Sequence, residues 1–168
     1  MWHILKQIVC TGILTEPAPA VTDADRATVQ RIHQDILDIL GQALTIRQVD
    51  AGSCNGCEVE IGSAFGPVYD AERYGARLVA SPRHADALLV TGPVTRNMAE
   101  PLRRTYEATP SPRLVVAVGD CARNCGAFAG AYGVAGAVSD VVPVDLEIAG
   151  CPPRPEAIVE GLRKLTGR

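Results

Sequence analysis

No stretch of this sequence reaches the roughly 18 consecutive apolar residues from which a transmembrane helix is drawn. There is no basic excess either: 16 Lys and Arg stand against 19 Asp and Glu, a formal net charge of −3, which offers nothing to draw in nucleic acid. The apolar N-terminus lacks a small-residue cleavage site, so a secretory leader is not expected. Neither glycine-rich phosphate pattern, G-x-x-x-x-G-K-[S/T] or a G-x-G-x-x-G after a strand, is present. A catalytic triad is missing as well. No internal repeat or low-complexity tract interrupts the chain. By itself the chain is therefore not expected to catalyse a reaction.

What is there is an ordinary globular composition, 168 residues with 47% hydrophobic and 21% charged. A chain of this length buries about 70% of its unfolded surface and forms one domain by the usual size relation. Six cysteines are many for a sequence without a secretory signal. In a reducing compartment such thiols bind metal or do redox chemistry more often than they pair as disulfides.

Residues 1–21 read as an N-terminal apolar arm. Trp2, Ile4, Leu5, Ile8 and Val9 fall on one side of a short helix, and Pro17 and Pro19 interrupt any helix beyond it. Such an arm either lies on a surface or packs on its own domain or a neighbour. Residues 22–168 read as a single domain. Its first helix is capped at Thr22 or Asp23 and carries Val29, Ile32, Ile36, Leu37, Ile39 and Leu40 up to Gly41; His33 within it is a surface histidine. Five short apolar runs then read as strands: Leu44–Val49, Arg77–Val79, Ala87–Val90, Leu114–Val118 and Val141–Val144, the last continuing irregularly to Ile148. Helix-like stretches lie between them at Glu58–Phe65, Met98–Ala108 and around Phe128–Val134. A final helix spans Pro155–Leu165, with proline at the start, where it is tolerated. Strands alternating with helices imply right-handed crossovers and a parallel sheet covered on both faces. The expected fold is α/β, a flavodoxin-like three-layer sandwich with a central, mostly parallel sheet.

On that sketch Cys54 and Cys57 follow the first strand in DAGSCNGC. Cys121 follows the fourth in GDC, and Cys151 follows Ile148 in AGCPP. All three loops leave carboxyl ends of strands, the edge at which open α/β sheets bind ligands, so four thiols distant in sequence are expected to meet. Soft sulfur ligands select zinc or an iron–sulfur cluster. The zinc-ribbon pattern of two CxxC pairs about 15–20 residues apart is absent, because 63 residues lie between Cys57 and Cys121. A four-cysteine iron–sulfur cluster fits the spacing better, with structural zinc and unmetallated thiols as the alternatives. Gly52 and Gly56 relieve the tight turn and are expected to turn backbone N–H groups towards cluster sulfides, while Pro152 and Pro153 stiffen the last loop.

The segments SCNGCEVEI, SPRHADALLVTGPVTRNM, VVAVGDCARNCGAF and PVDLEIAGCPPRPEAI resemble the small subunit of nickel–iron hydrogenases. The match is to the short form found in membrane-bound, energy-converting hydrogenases, a homologue of the 20 kDa iron–sulfur subunit of respiratory complex I. The resemblance covers about residues 45–165, with the motifs in the family's order. It implies that Cys54, Cys57, Cys121 and Cys151 ligate one proximal 4Fe–4S cluster that exchanges electrons with a large catalytic subunit. It also implies a ferredoxin-like iron–sulfur subunit and membrane subunits as further partners, no nucleic acid, and a peripheral position on the cytoplasmic side of the cell membrane. Complex I subunits have adjacent cysteines at the first ligand pair, whereas Cys54 and Cys57 have the hydrogenase spacing. Uptake hydrogenases add a C-terminal region with further clusters, whereas this sequence ends soon after its final helix. A complex-I-like subunit passing electrons to quinone is the alternative within the superfamily; a zinc-stabilised or flavin-binding scaffold is the alternative outside it.

Relatives commonly have glycine where this chain has Cys125, which reads as a buried inert thiol rather than an extra ligand. Cys10, in the arm, has no partner by spacing. Glu58 opens a helix, where a carboxylate suits the N-terminal dipole; in hydrogenases the glutamate at this position is credited with relaying protons, and both readings stand. Glu60 reads as a helix-surface charge. Arg83 and His84 precede a strand and so lie at the amino edge, with Asp86 placed to pair with either. Thr91–Thr95 is expected to line the cluster, with Thr95, Arg96 or Asn97 as donors towards it, and Asp120 is expected to cap its loop.

Overall fold

A computed structural model of the chain describes residues 43–166 together with Trp2, His3, Lys6 and Cys10. The chain divides into two compact units, Met1–Asp38 and Ile39–Arg168. In the first, the four described residues are helical and exposed. The expected helix from Thr22 to Gly41, with His33, and the boundary expected after residue 21 lie outside the described residues.

The second unit is built on a five-stranded parallel sheet. In chain order the strands are β1 (Leu44–Asp50), β2 (Ala76–Leu78), β3 (Ala87–Thr91), β4 (Val94–Thr95), β5 (Leu114–Val118), β6 (Val134–Gly136) and β7 (Leu146–Ile148). The main sheet runs β2-β1-β3-β5-β7, and β4 and β6 form a small antiparallel pair beside it. Counting only main-sheet strands, the order is 2-1-3-4-5, that of the flavodoxin-like fold.

Both faces of the sheet are covered, so β3 and β5 are apolar at nearly every position rather than alternating with polar residues. All five residues of β3 are buried. Ile46, Leu89, Val116 and Ile158 belong to one core, whereas Leu88, Val90, Val115 and Leu102 belong to the other. The switch between odd and even positions is the pleat of a strand sorting its side chains to opposite faces. Helices α1 (Gly56–Ala64) and α4 (Pro155–Thr166) supply Ile61, Ile158 and Leu162 to the first core. Helix α2 (Arg96–Ala108) covers the second with Leu102, flanked by Met98, Ala99 and Tyr106 at helical spacing. Its outer face carries exposed ion pairs from Glu100 to Arg103 and Arg104.

Two elements differ from expectation. The apolar run Val141–Val144 is not a strand; the chain crosses Val138–Asp140 as a 3-10 turn, and the strand is delayed to Leu146–Ile148. Pro143 has no N–H to give to a ladder, so pairing waits until it has passed. Pairing is re-established by Asp145, whose N–H donates to Val115 O at 2.9 Å and whose Oδ2 accepts from Val115 N at 2.8 Å. The stretch Phe128–Val134 is not a helix but a 3-10 turn at Gly126–Phe128 followed by turns into β6. Its glycines and alanines offer no periodic apolar face to hold a helix. A five-residue helix, α3 (Asp120–Asn124), follows β5 instead.

Candidate functional site

The sheet register aligns Asp50, Thr91, Val118 and Ile148 in one row across β1, β3, β5 and β7. Each is the last residue of its strand, so the loops that follow leave a common edge. Cys54 comes four residues beyond this row, Cys121 three beyond it and Cys151 three beyond it. The thiols are thus brought together by strand register. Cys54, Cys57, Cys121 and Cys151 line one cavity of about 170 Å³, together with Ser53, Gly56, Gly92, Asp120, Gly150 and Pro152. Cys57 and Cys121 are buried, and Cys54 and Cys151 are exposed. All four are free thiols.

The loops are held by hydrogen bonds that fix their backbones rather than their sulfurs. Asp50 Oδ1 accepts from both Gly52 N and Ser53 N at 2.8 Å, and Ser53 Oγ accepts from Asn55 N at 3.0 Å. The Gly52 N–H expected to face the cluster is therefore committed to Asp50. Gly119 N–H donates to Ile148 O at 2.8 Å, and Asp120 N–H donates to Gly150 O at 2.8 Å. Asp120 Oδ1 accepts from Gly150 N at 3.1 Å, so instead of capping its own loop Asp120 joins it to the Cys151 loop. Asp50 was not singled out in the sequence, although an aspartate two and three residues ahead of Gly52 and Ser53 is the signature of a side-chain-capped turn.

Close packing at the cavity requires glycine at two points. Gly119 adopts φ +88°, and a Cβ there would stand 2.6 Å from Cys57 Sγ. Gly92 adopts φ +74°, and a Cβ there would stand 2.5 Å from Ser53 N. The left-handed backbone and the missing side chain together let the loops close around the thiols.

Burial pushes the Cys57 thiol up to about 12, with the neighbouring Glu58 charge adding to the effect. Burial likewise raises Cys121, followed by Cys151, while a hydrogen bond from the Ala127 backbone pulls it the other way. As free thiols both are biased further towards the protonated form. A cationic centre would reverse that bias, because a coordinating thiol is deprotonated outright.

Glu58 lies in the first turn of α1. Its Oε1 accepts from the hydroxyl of the fully buried Thr91. Its Oε2 is buried with no hydrogen-bond partner. A helix-end charge facing water would not have this arrangement, since an unsatisfied buried acceptor costs about 1–3 kcal/mol. Glu60 is half-buried on the same helix.

Most of the other residues singled out in the sequence lie outside the cavity. Cys125 is half-buried and terminates α3 in the left-handed region at φ 66°, a conformation that favours glycine; it does not line the cavity. Burial and Asp140 raise its thiol. Cys10 is exposed in the first unit. Arg83 and His84 form an exposed turn ahead of β3, at the amino edge. Asp86 pairs with neither of them: its Oδ2 accepts from Thr45 N at 2.9 Å and from Thr45 Oγ1 at 2.7 Å. Of Thr91–Thr95 only Gly92 lines the cavity. Thr95 turns its hydroxyl to Ala51 O at 3.2 Å, and Arg96 and Asn97 are exposed.

Comparison with known proteins agrees with this architecture. The probable membrane-bound hydrogenase subunit mbhJ of Pyrococcus furiosus is 42% identical over 140 residues, 83% of this chain and 84% of that protein. Formate hydrogenlyase subunit 7 of Escherichia coli is 40% identical over 90% of this chain, which spans 58% of that protein's length. An NADH-quinone oxidoreductase subunit of Herpetosiphon aurantiacus is 46% identical over 65% of this chain and 61% of that protein. Among solved structures, one of the membrane-bound sulfane sulfur reductase, an archaeal respiratory membrane complex, matches with TM-score 0.65 and 38% identity over 74% of this chain and 69% of that chain. An NAD+-reducing [NiFe]-hydrogenase shares the fold, with TM-score 0.60 and 24% identity over 74% of this chain and 92% of that chain.

Fold and relatives define the class, an electron-transfer subunit of a hydrogenase-like or complex-I-like oxidoreductase. Within it, the chain belongs to the family of the NADH ubiquinone oxidoreductase 20 kDa subunit, whose family model matches residues 54–165.

Proposed function

We propose that Cys54, Cys57, Cys121 and Cys151 hold one 4Fe–4S cluster, and that the chain passes single electrons between a ferredoxin-like iron–sulfur subunit and the large catalytic subunit of a membrane-bound, hydrogenase-type complex. The observation that carries this reading is the convergence of four thiols from three carboxyl-edge loops on one cavity. When bound, such a cluster supplies reversible one-electron transfer. The donor set suits it, because thiolates are the soft ligands iron–sulfur centres use.

Zinc suits the geometry less well. Four thiolates on one zinc ion, each about 2.3 Å from it, would lie within about 4 Å of one another. Among the described residues no three Cys, His, Asp or Glu side chains are grouped to hold one metal ion, whereas the four thiols surround a space. Two of them, Cys54 and Cys151, remain exposed at its mouth, which leaves that side for a partner to cover.

Glu58 has a role in the same reading. One carboxylate oxygen is anchored by Thr91 and the other is buried without a partner, an arrangement that holds a proton-accepting atom ready beside the ligand loop. We assign it to proton transfer towards the catalytic subunit.

The hydrogenase-type assignment is favoured over a quinone-reducing one by the two-residue gap between Cys54 and Cys57 and by the fuller coverage of the hydrogenase relative. Among the described residues no helix is long and apolar enough to cross a membrane. Attachment to the cytoplasmic side of the membrane is accordingly proposed to run through partner subunits. Iron, acid-labile sulfide and nickel analysis of the anaerobically purified complex tests the whole reading. Iron and sulfide with nickel are expected; iron and sulfide without nickel would move it to the quinone-reducing type, and zinc in place of iron would overturn it.

A further inference from the structure

Among the described residues that line the cavity, Asp120 is the one with a charged side chain. It is bound to the Cys151 loop in both directions: its N–H donates to Gly150 O at 2.8 Å, and its Oδ1 accepts from Gly150 N at 3.1 Å. Since Cys121 is the next residue after Asp120 and Cys151 the next after Gly150, this two-way bridge extends the β5–β7 pairing directly into the two ligand positions. The same Oδ1 also accepts from the Arg123 guanidinium at 3.2 Å, and Arg123 Nε donates in turn to Glu147 Oε2 of β7 at 2.9 Å. Two carboxylates therefore share one guanidinium, and the three side chains tie α3 to β7. Their side chains are between 32% and 46% exposed, so the ion pairs add little stability. What they fix is geometry and local charge.

We propose that Asp120 is a positioning residue that locks the Cys121 and Cys151 loops into one frame, and that Arg123, braced by Glu147, offsets the Asp120 charge at the cavity wall. This rests on the cluster reading above. A carboxylate at the wall disfavours the state with the extra electron, and a guanidinium paired to it weakens that effect; local net charge is among the quantities that set cluster potentials. Asp120 and Arg123 thus act on potential in opposite senses while sharing one hydrogen-bonded frame.

The test uses the full chain in its native complex, purified anaerobically as wild type, Asp120→Ala, Asp120→Asn and Arg123→Gln. Each sample is analysed for iron and acid-labile sulfide and titrated potentiometrically with electron paramagnetic resonance detection. Asp120→Ala removes the acceptor for Gly150 N–H, and a several-fold loss of iron and sulfide is expected. Asp120→Asn keeps an oxygen for Gly150 N–H and removes the charge, so content stays near wild type and the midpoint potential moves positive. Arg123→Gln leaves the Asp120–Gly150 bridge and uncovers the carboxylate, so content again holds and the potential moves negative. Full content in Asp120→Ala would overturn the frame. Unshifted potentials, or shifts of the same sign in Asp120→Asn and Arg123→Gln, would overturn the charge role even if the alanine variant does not fold. A wild-type complex without iron and sulfide would sink the cluster reading itself, whereas loaded wild type with wild-type behaviour in all three variants would sink the clamp alone.

Discussion

The two readings of Glu58, a helix-start charge and the proposed proton carrier, make different demands on the side chain. A helix-start charge contributes about 0.3–1 kcal/mol through the dipole, and glutamine would keep the shape while losing only that. A proton carrier must take up and release a proton at working pH, which glutamine cannot do. The expected outcome for Glu58→Gln in the assembled complex is an unchanged cluster signal and electron entry with most proton-dependent turnover gone, partly recovered in Glu58→Asp. Equal turnover at matched cluster content would leave Glu58 as a helix-terminus charge. For the thiols, replacing Cys54, Cys57, Cys121 or Cys151 singly by alanine opens one iron coordination position and is expected to remove or convert the cluster, whereas Cys10→Ala leaves its signal intact. A full 4Fe–4S resonance in the Cys121→Ala or Cys151→Ala protein would refute the ligand set. The convergence of these cysteines on one edge is legible because their three loops each follow the end of an apolar run. The unpartnered Oε2 of Glu58 and its anchor on Thr91 were not, since they depend on which side chains adjoin across the sheet.

At the scale of elements, legibility followed hydrophobic pattern. β1, β3 and β5 are expected within one residue of their observed ends, β3 and β5 because a strand covered on both faces is almost wholly apolar and β1 because Leu44, Ile46 and Val49 carry its pattern. Likewise α4 is expected within one residue and α2 within two, because their apolar residues recur with the helical period. Where the pattern was apolar but interrupted by Pro143, the strand was placed too early. Where it was glycine and alanine, around 128–134, no period existed to distinguish helix from turn. The clearest energetic test of the layered packing is Leu102→Ala. Leu102 is fully buried where α2 meets the second core, and truncating such a leucine costs about 2–5 kcal/mol through lost burial and the cavity left behind. A lowered urea midpoint is expected, with iron content unchanged in the folded protein, because α1 and the first core lie on the other face of the sheet. A loss below about 0.5 kcal/mol would mean that α2 does not pack as described.

At the scale of the whole molecule, the cavity is an incomplete site. Two of its four thiols are exposed, although a centre that exchanges electrons must be kept from solvent and from oxidants while remaining close to its partner. Near the ligand positions in sequence, Val59 on α1 is 59% exposed and Phe128, beyond α3, is 40% exposed. Thiols left exposed at the proposed centre mark a surface built to be covered. We therefore expect loops 50–57, 91–98, 119–128 and 149–154 to form an obligate interface, of the large and relatively apolar kind. Expressed without partners, the chain should be poorly soluble or should lose iron within hours of purification, and co-expression with the large subunit should restore both solubility and iron content. A monodisperse, iron-loaded monomer stable for days would show that the loops protect the centre unaided, and the interface would then have to be sought on another face.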